Sequence, residues 1–318
     1  MNKTTSINIA YCADSNYIEY VAVSMTSVMM NNLGNDITFH IFLYNVNSDD
    51  KDRIKNIGYQ IEIYEISENE IEKYSEEFSI KHLNRSIYLR LAVPRILYNK
   101  VDRFIYLDVD TLCFSNISEI NTINIDHVVC AVVSDNTEKI NTANATRLGL
   151  KDNFYFNSGF LYINTENWIT RNIENEVNDI LKKDNIALIY PDQDALNIVL
   201  QNDIVVLNTK WNYLFNWLSE KEKDSFFYDK ENLPKIIHFT GGRKPWYQEH
   251  SGLSQNLYLF YKHFTPWANT PLKSYQSKMR STDYRVYSKS EIRKGNYLKG
   301  LYFFIKYFQL KIKSRKGA

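Results

Sequence analysis

Glycine is scarce in this chain, 10 of 318 residues, against a usual share of about 7%. No internal repeat is visible, and the adjacent pair Gly241-Gly242 therefore stands out. Cysteine is scarcer still. Cys12, Cys113 and Cys130 have neither the CxxC spacing of a zinc site nor the even count of a disulfide framework, so they read as reduced core residues of a cytosolic protein. No apolar run reaches the roughly 18 residues a spanning helix needs. The opening MNKTTSINIAYC lacks the apolar core of a signal peptide; neither export by that route nor a bilayer span is expected. An excess of charge is missing too: 38 Lys and Arg stand against 37 Asp and Glu, which gives no global field to attract nucleic acid.

What is present is an alternation of short β-like runs and helical ones. INIAYC (7–12) precedes a stretch with Ile18, Val21, Met25, Val28 and Met29 at helical spacing; ITFHIFLY (37–44), a further helical stretch and QIEIYEI (60–66) follow. This βαβαβ opening argues for an α/β domain with a mostly parallel, mixed central sheet. Helical SIYLRLAVPRIL (86–97) should kink or restart at Pro94. Strands are expected over 104–107, near 128–133 and near 158–163. A helix is expected over 166–182 with Trp168, Ile169, Ile173, Val177 and Ile180 inward, and another from Pro191 at its first position.

The character changes near residue 266. Thr265-Pro266 and Thr270-Pro271 bracket an expected linker, a polar stretch runs to about 288, and the end becomes basic and aromatic. Residues 1–265 are read as the catalytic domain and 266–318 as an extension. In YLKGLYFFIKYFQLKIK, Leu298, Leu301, Ile305, Phe308 and Ile312 recur at helical spacing while Lys299, Lys306 and Lys313 form another stripe. That pattern suits a helix lying on an anionic membrane surface; the alternative is a helix docked on the domain.

The segment FIYLDVDTL (104–112) ends four apolar residues with Asp108 and Asp110. An apolar run fits a strand buried on both faces, and open α/β sheets bind ligands at the carboxyl ends of their strands. Where the strand breaks into a loop, both carboxylates can turn toward one hard divalent cation. A phosphatase of the haloacid-dehalogenase type uses a similar pair, but near the N-terminus and followed by Thr or Val where Leu112 stands here. Its acidic pair and lysine have no assignable counterparts.

In IIHFTGGRKPW (236–246), a strand, a histidine, two glycines and two cations are concentrated together. Gly241 and Gly242 allow backbone N–H groups to approach an anion, and Arg243 or Lys244 can neutralise phosphate. The plain alternative is a tight turn with solvated cations. His238 is a candidate third ligand beside the carboxylate pair.

Six blocks, NIAYCADSNY (8–17), YLRL (88–91), YLDVDTL (106–112), YFNSGFLYIN (155–164), YPDQDALN (190–197) and HFTGGRKPW (238–246), occur in the order of the retaining glycosyltransferases of family 8. The chain most resembles their bacterial lipopolysaccharide α-galactosyl- and α-glucosyltransferases. The resemblance implies a GT-A (Rossmann-like) fold, a UDP-sugar donor, and Mn²⁺, or Mg²⁺ in its place, on Asp108, Asp110 and His238. It implies Asp14, Asn16 and Tyr17 at uridine, Gly241 and Lys244 at the phosphates, and Arg90, Asn157, Asp192 and Gln193 around the transferred sugar. Asp192 and Gln193 are the catalytic candidates, and His82 and Asp135 are further carry-overs from blocks whose flanks match less closely.

The implied acceptor is an oligosaccharide or lipid-linked glycan such as lipopolysaccharide core, reached from the cytoplasmic face of the membrane. Departures from the family pattern are Ser15, Ser158 and the inserted Gly-Arg of TGGRKPW; none removes an implied metal ligand. The alternatives are a hydrolase or nucleotidyltransferase using the same metal site, and a silent carbohydrate-binding protein, which would require loss of a ligand although Asp108, Asp110 and His238 are all present. The aromatic stretch WNYLFNWL (211–218) either lines a sugar cleft or belongs to the core.

Overall fold

The structure is a computed structural model that describes residues 6–73, 88–135, 138–183, 186–226, 228, 233–250 and 252–316. Its elements run β1 (Ile7–Asp14), α1 (Ile18–Met30), β2 (Ile37–Tyr44), α2 (Ser48–Lys55), β3 (Gln60–Glu65), α3 (Glu68–Glu72), α4 (Leu89–Leu97), β4 (Arg103–Leu107), β5 (Thr111–Cys113) and β6 (Cys130–Ser134). They continue as α5 (Glu138–Leu148), β7 (Phe156–Asn164), α6 (Thr165–Thr170), α7 (Ile173–Leu181), α8 (Pro191–Leu200), β8 (Ile204–Leu207), β9 (Tyr213–Leu214), α9 (Glu220–Ser225), β10 (Ile236–His238), α10 (Leu253–Lys262), α11 (Ser281–Arg293) and α12 (Tyr297–Lys316).

Seven strands form the central sheet in the order β3-β2-β1-β4-β7-β6-β8. The expected parallel opening is present: β1 pairs in parallel with both β2 and β4, and β2 with β3. β7 runs against both β4 and β6. Its first residues therefore lie at the same edge as the last residues of β1, β4 and β6, and all nine of its residues are buried. Helices cover both faces, with Val21, Met25 and Val28 of α1 in one core and Leu91, Val93 and Leu97 of α4 in the other.

A bulge interrupts β6 against β7. Val132 faces Leu161 while the next residue, Val133, faces Asn157, leaving Ser158, Gly159 and Phe160 without a partner on β6. Bulges of this kind redirect side chains beside active sites, and here they release the polar start of β7 from the ladder.

A second sheet, β5-β10-β9, was not visible in the sequence. β10 pairs antiparallel with β5, setting His238 opposite Thr111, one residue past Asp110. This register brings a histidine to the aspartate pair across more than a hundred residues of chain.

The structure corrects or refines four expectations. The helix over 166–182 is two, broken where Asn172 takes a left-handed conformation at φ 56°, which Asn tolerates better than most residues. Of the two outcomes expected at Pro94, the restart is excluded, since α4 runs through it as one helix. The polar stretch before 288 contains α11, capped as Asp283 accepts from the Arg280 N–H at 2.9 Å. The segment bracketed by Pro266 and Pro271 is fastened down: Trp267 is buried in the main core under the Arg53 guanidinium, 4.4 Å from its ring.

α11 and α12 form a helical hairpin. Tyr284 and Tyr287 of α11 bury Phe303 of α12, with Tyr275, Met279 and Tyr247 completing the cluster. The helices cross closely at Gly300, where a Cβ would lie 2.5 Å from Ile292 Cγ1. Leu298, Leu301, Ile305, Phe308 and Ile312 lie on the outside, between 47% and 87% exposed. The side chain of Lys313, one of the expected basic stripe, lies outside the described residues.

Candidate active site

The three candidate ligands converge. Asp108 follows the last residue of β4, Asp110 precedes β5 and His238 ends β10; one donor atom from each lies within 4.8 Å of the other two. His238 Nε2 is 3.1 Å from Asp110 Oδ1. Gly159 makes the space: a Cβ there would stand 2.8 Å from Asp108 Oδ2, 2.9 Å from His238 Nδ1, and closer still to His238 Cε1. Two carboxylates and an imidazole in a cleared cradle suit a divalent ion that accepts mixed oxygen and nitrogen ligands. By donor chemistry and spacing the residues present fit the metal that the resemblance implies.

Cations already balance the site. Arg90 of α4 donates from Nη2 to Asp108 Oδ1 at 2.9 Å and from Nη1 to the carbonyl and hydroxyl of Ser158, both at 2.9 Å. Its Nε is 3.4 Å from Asp192, and the guanidinium lies 4.8 Å from the Tyr106 ring centre. Lys244 is ion-paired with Asp110 and donates to the Phe239 carbonyl at 2.8 Å. Burial opposes charge on Asp110, but Lys244 and His238 outweigh it and hold the carboxyl below its ordinary range.

Behind the cradle lies a continuous polar chain. His238 Nδ1 is 2.9 Å from Asn212 Oδ1, and Asn212 donates to Asn157 Oδ1 at 2.9 Å. Gln193 Oε1 accepts from Asn157 Nδ2 at 3.1 Å and from the Ser158 N–H at 3.0 Å; its NH₂ faces Asp135 Oδ2 at 3.2 Å and Tyr155 Oη at 3.0 Å. Tyr155 donates to Asp194, which is fully buried and doubly bonded by Arg147 at 2.9 and 3.0 Å. Burial raises the carboxyls of both Asp192 and Asp135 above their ordinary value.

The residues read as a nucleoside site sit at the neighbouring strand end. Asp14, the last residue of β1, is buried and accepts from the Asn16 N–H at 2.7 Å. Tyr17 is 40% exposed and stands edge-on to Tyr20, whose ring stacks on Trp246 at 3.8 Å. Tyr20 and Trp246 thus join this loop to the glycine-rich one, where Gly241 takes φ 81°, a conformation that favours glycine. His82 lies outside the described residues.

Several participants escaped the sequence reading. Asn212 was hidden inside an aromatic run, of which Trp211 and Phe215 prove to be core. Gly159 lies inside the YFNSGFLYIN block, and in so glycine-poor a chain a glycine after FNS is a usable signal. Tyr155 and Asp194 carried no signal, because their value lies in what they hold.

Comparison with known proteins places the chain. Residues 8–250 match the family model described as Glycosyl transferase family 8, and residues 254–311 match that of its C-terminal region. The lipopolysaccharide glucosyltransferase WaaO of Escherichia coli (strain K12) is 30% identical, the match covering 96% of this chain and 91% of that protein. A lipopolysaccharide 1,3-galactosyltransferase of Salmonella typhimurium is 29% identical over the same shares. Among solved structures, the galactosyltransferase LgtC in complex with donor and acceptor sugar analogs superposes with a TM-score of 0.69 at 19% identity, covering 86% of this chain and 100% of that one. The shared architecture is the GT-A fold, and the chain belongs to glycosyl transferase family 8.

Proposed function

We propose that this glycosyltransferase moves a hexose, glucose or galactose, from a UDP-sugar to a saccharide acceptor with retention of anomeric configuration. The observation that carries the reading is the convergence of Asp108, Asp110 and His238 around the space left by Gly159. These three residues would hold Mn²⁺, or Mg²⁺, which when bound supplies Lewis-acid stabilisation of diphosphate charge.

The protein's own groups divide the remaining work. Asp14, Asn16 and Tyr17 take the uridine, with the exposed Tyr17 ring available to stack on the base. Backbone N–H groups at Gly241 receive phosphate oxygens, and Lys244, already beside Asp110, neutralises charge on the departing phosphate. Arg90, Asn157, Asp192 and Gln193 surround the sugar. Gln193 has its carbonyl committed to two protein donors, so it acts as a fixed dipole. Asp192 is held by Arg90 and Ser158. We favour front-face transfer, in which the departing phosphate takes the acceptor's proton; a glycosyl ester trapped on Asp192 during turnover would overturn that step.

The acceptor class follows from the relatives, which act on lipopolysaccharide: an oligosaccharide or lipid-linked glycan of the cell surface. The outer face of α12 supports delivery at a membrane. It carries the exposed apolar row, and Lys299 and Lys306 form a separate stripe beside it, Lys299 within 3.7 Å of Glu291 on α11 and Lys306 over the Tyr302 ring, an apolar face flanked by cations that suits an anionic lipid surface. No helix among the described residues is long and apolar enough to cross a membrane. A peripheral position on the cytoplasmic face fits these features.

The test is UDP release from a panel of UDP-sugars, with Mn²⁺ or with chelator. Asp108→Ala should abolish metal-dependent release while the protein still unfolds cooperatively; undiminished turnover would contradict the assignment. The family match gives no support to a phosphatase, and hydrolysis of simple phosphomonoesters would be the result that revived it.

A further inference from the structure

The hydrogen bonds behind His238 can be read in only one direction. A backbone N–H only donates, so the Gly159 N–H at 3.0 Å fixes Oδ1 as the acceptor oxygen of Asn157. The Asn212 atom lying 2.9 Å from that oxygen must then be its NH₂. This turns the Asn212 carbonyl toward His238 Nδ1 at 2.9 Å.

A second anchor agrees independently. The Ser158 N–H at 3.0 Å fixes Oε1 as the acceptor oxygen of Gln193, and the Asn157 atom 3.1 Å from it is therefore an NH₂. Both backbone groups give Asn157 the same orientation. All four side chains are less than 9% exposed, so water does not compete freely for these positions.

We propose that Asn212 is a positioning residue that fixes His238 with its hydrogen on Nδ1 and so presents the Nε2 lone pair to a divalent cation shared with Asp108 and Asp110. A carbonyl accepts and does not donate, which leaves Nδ1 no other role in this chain. Neutral imidazole in water prefers the opposite tautomer, with hydrogen on Nε2, the nitrogen that here faces Asp110 at 3.1 Å. The polar chain works against that preference, and against the Asp110 carboxylate that also draws a hydrogen to Nε2, as outer partners of ligating histidines do. The cation half of the proposal rests on the metal site proposed above; the tautomer half does not.

The experiment is ¹⁵N NMR of the metal-free, histidine-labelled protein at a pH where the ring is neutral, with His238 identified by the signals lost in His238→Asn. The wild type should show hydrogen on Nδ1, and hydrogen on Nε2 overturns the proposal. Asn212→Ala should shift the population toward Nε2–H and weaken Mn²⁺ binding, followed by EPR of free Mn²⁺, by about 10- to 100-fold. An unchanged tautomer in a folded Asn212→Ala overturns the proposal. A wild type with hydrogen on Nδ1 that binds no Mn²⁺ supports the tautomer and instead sinks the metal reading.

Discussion

The carboxyl edge of the central sheet and the C-terminal hairpin depart from ordinary packing in opposite directions. At the sheet edge Arg90, Asp110, Asp192, Gln193 and His238 are all less than 9% exposed, although charged groups are costly to bury. On α12 the row from Leu298 to Ile312 is 47% to 87% exposed, although burying such side chains is the main favourable term in folding. Each region gives up stability where the other conserves it. The buried charges persist because every one has a named partner. Among the described residues the outer row of α12 joins none of the buried clusters, which is why its partner is sought elsewhere.

The largest effect expected from breaking this comparison lies within α12 itself. Phe303 is 2% exposed between Tyr284 and Tyr287, whereas Phe308, farther along the same helix and on another face, is 48% exposed. Phe303→Ala should cost about 3–5 kcal/mol in denaturant unfolding. A loss near that of an exposed position would mean that the hairpin packs loosely and that its two faces do not differ. The next effect falls on the sheet edge. Gly159→Ala places a methyl against His238 and Asp108, and displacing a reacting group by about an ångström can cost roughly 100-fold in rate. A fall of that size in kcat/KM for the donor, with little change in unfolding midpoint, would separate site geometry from stability. Undiminished turnover would show that the cradle tolerates a Cβ.

Much of this difference was written in local pattern. The strand ending in Asp108 and the helix opened by Pro191 follow from apolar runs and from the fixed φ of proline. The helix and its outer row follow from spacing alone, whereas the docking of its other face on α11 through Phe303 does not. What escaped were facts of pairing between distant segments. Nothing near His238 announces that β10 will lie against β5, yet that register assembles the three ligands. The reversal of β7 and its bulge at Val132 and Val133 likewise depend on which strands become neighbours. The helix break at Asn172 was missed because the apolar period continues across it, while the backbone conformation that ends α6 leaves no mark on periodicity. Asn212 was missed for a different reason: between Trp211 and Tyr213 its neighbours dominated the pattern, and its function lies in which way its amide faces.

The smallest expected effect on stability sharpens the comparison most. Removing the whole hairpin would be a poor test, because Tyr247 and Tyr275 share its buried cluster, and truncation would expose a core together with the outer face. Leu301→Ser with Phe308→Ser changes only the outer row, and surface substitutions of this kind usually stay within about 0.5 kcal/mol each. Turnover of a soluble acceptor should therefore be retained. Recovery with vesicles containing anionic lipid should fall, and fall further as added salt screens the lysines. Equal vesicle recovery of the variant and the parent would remove the lipid surface as the partner of this face. The exposed row would then need another occupant, while the sheet edge and its chemistry would stand unchanged.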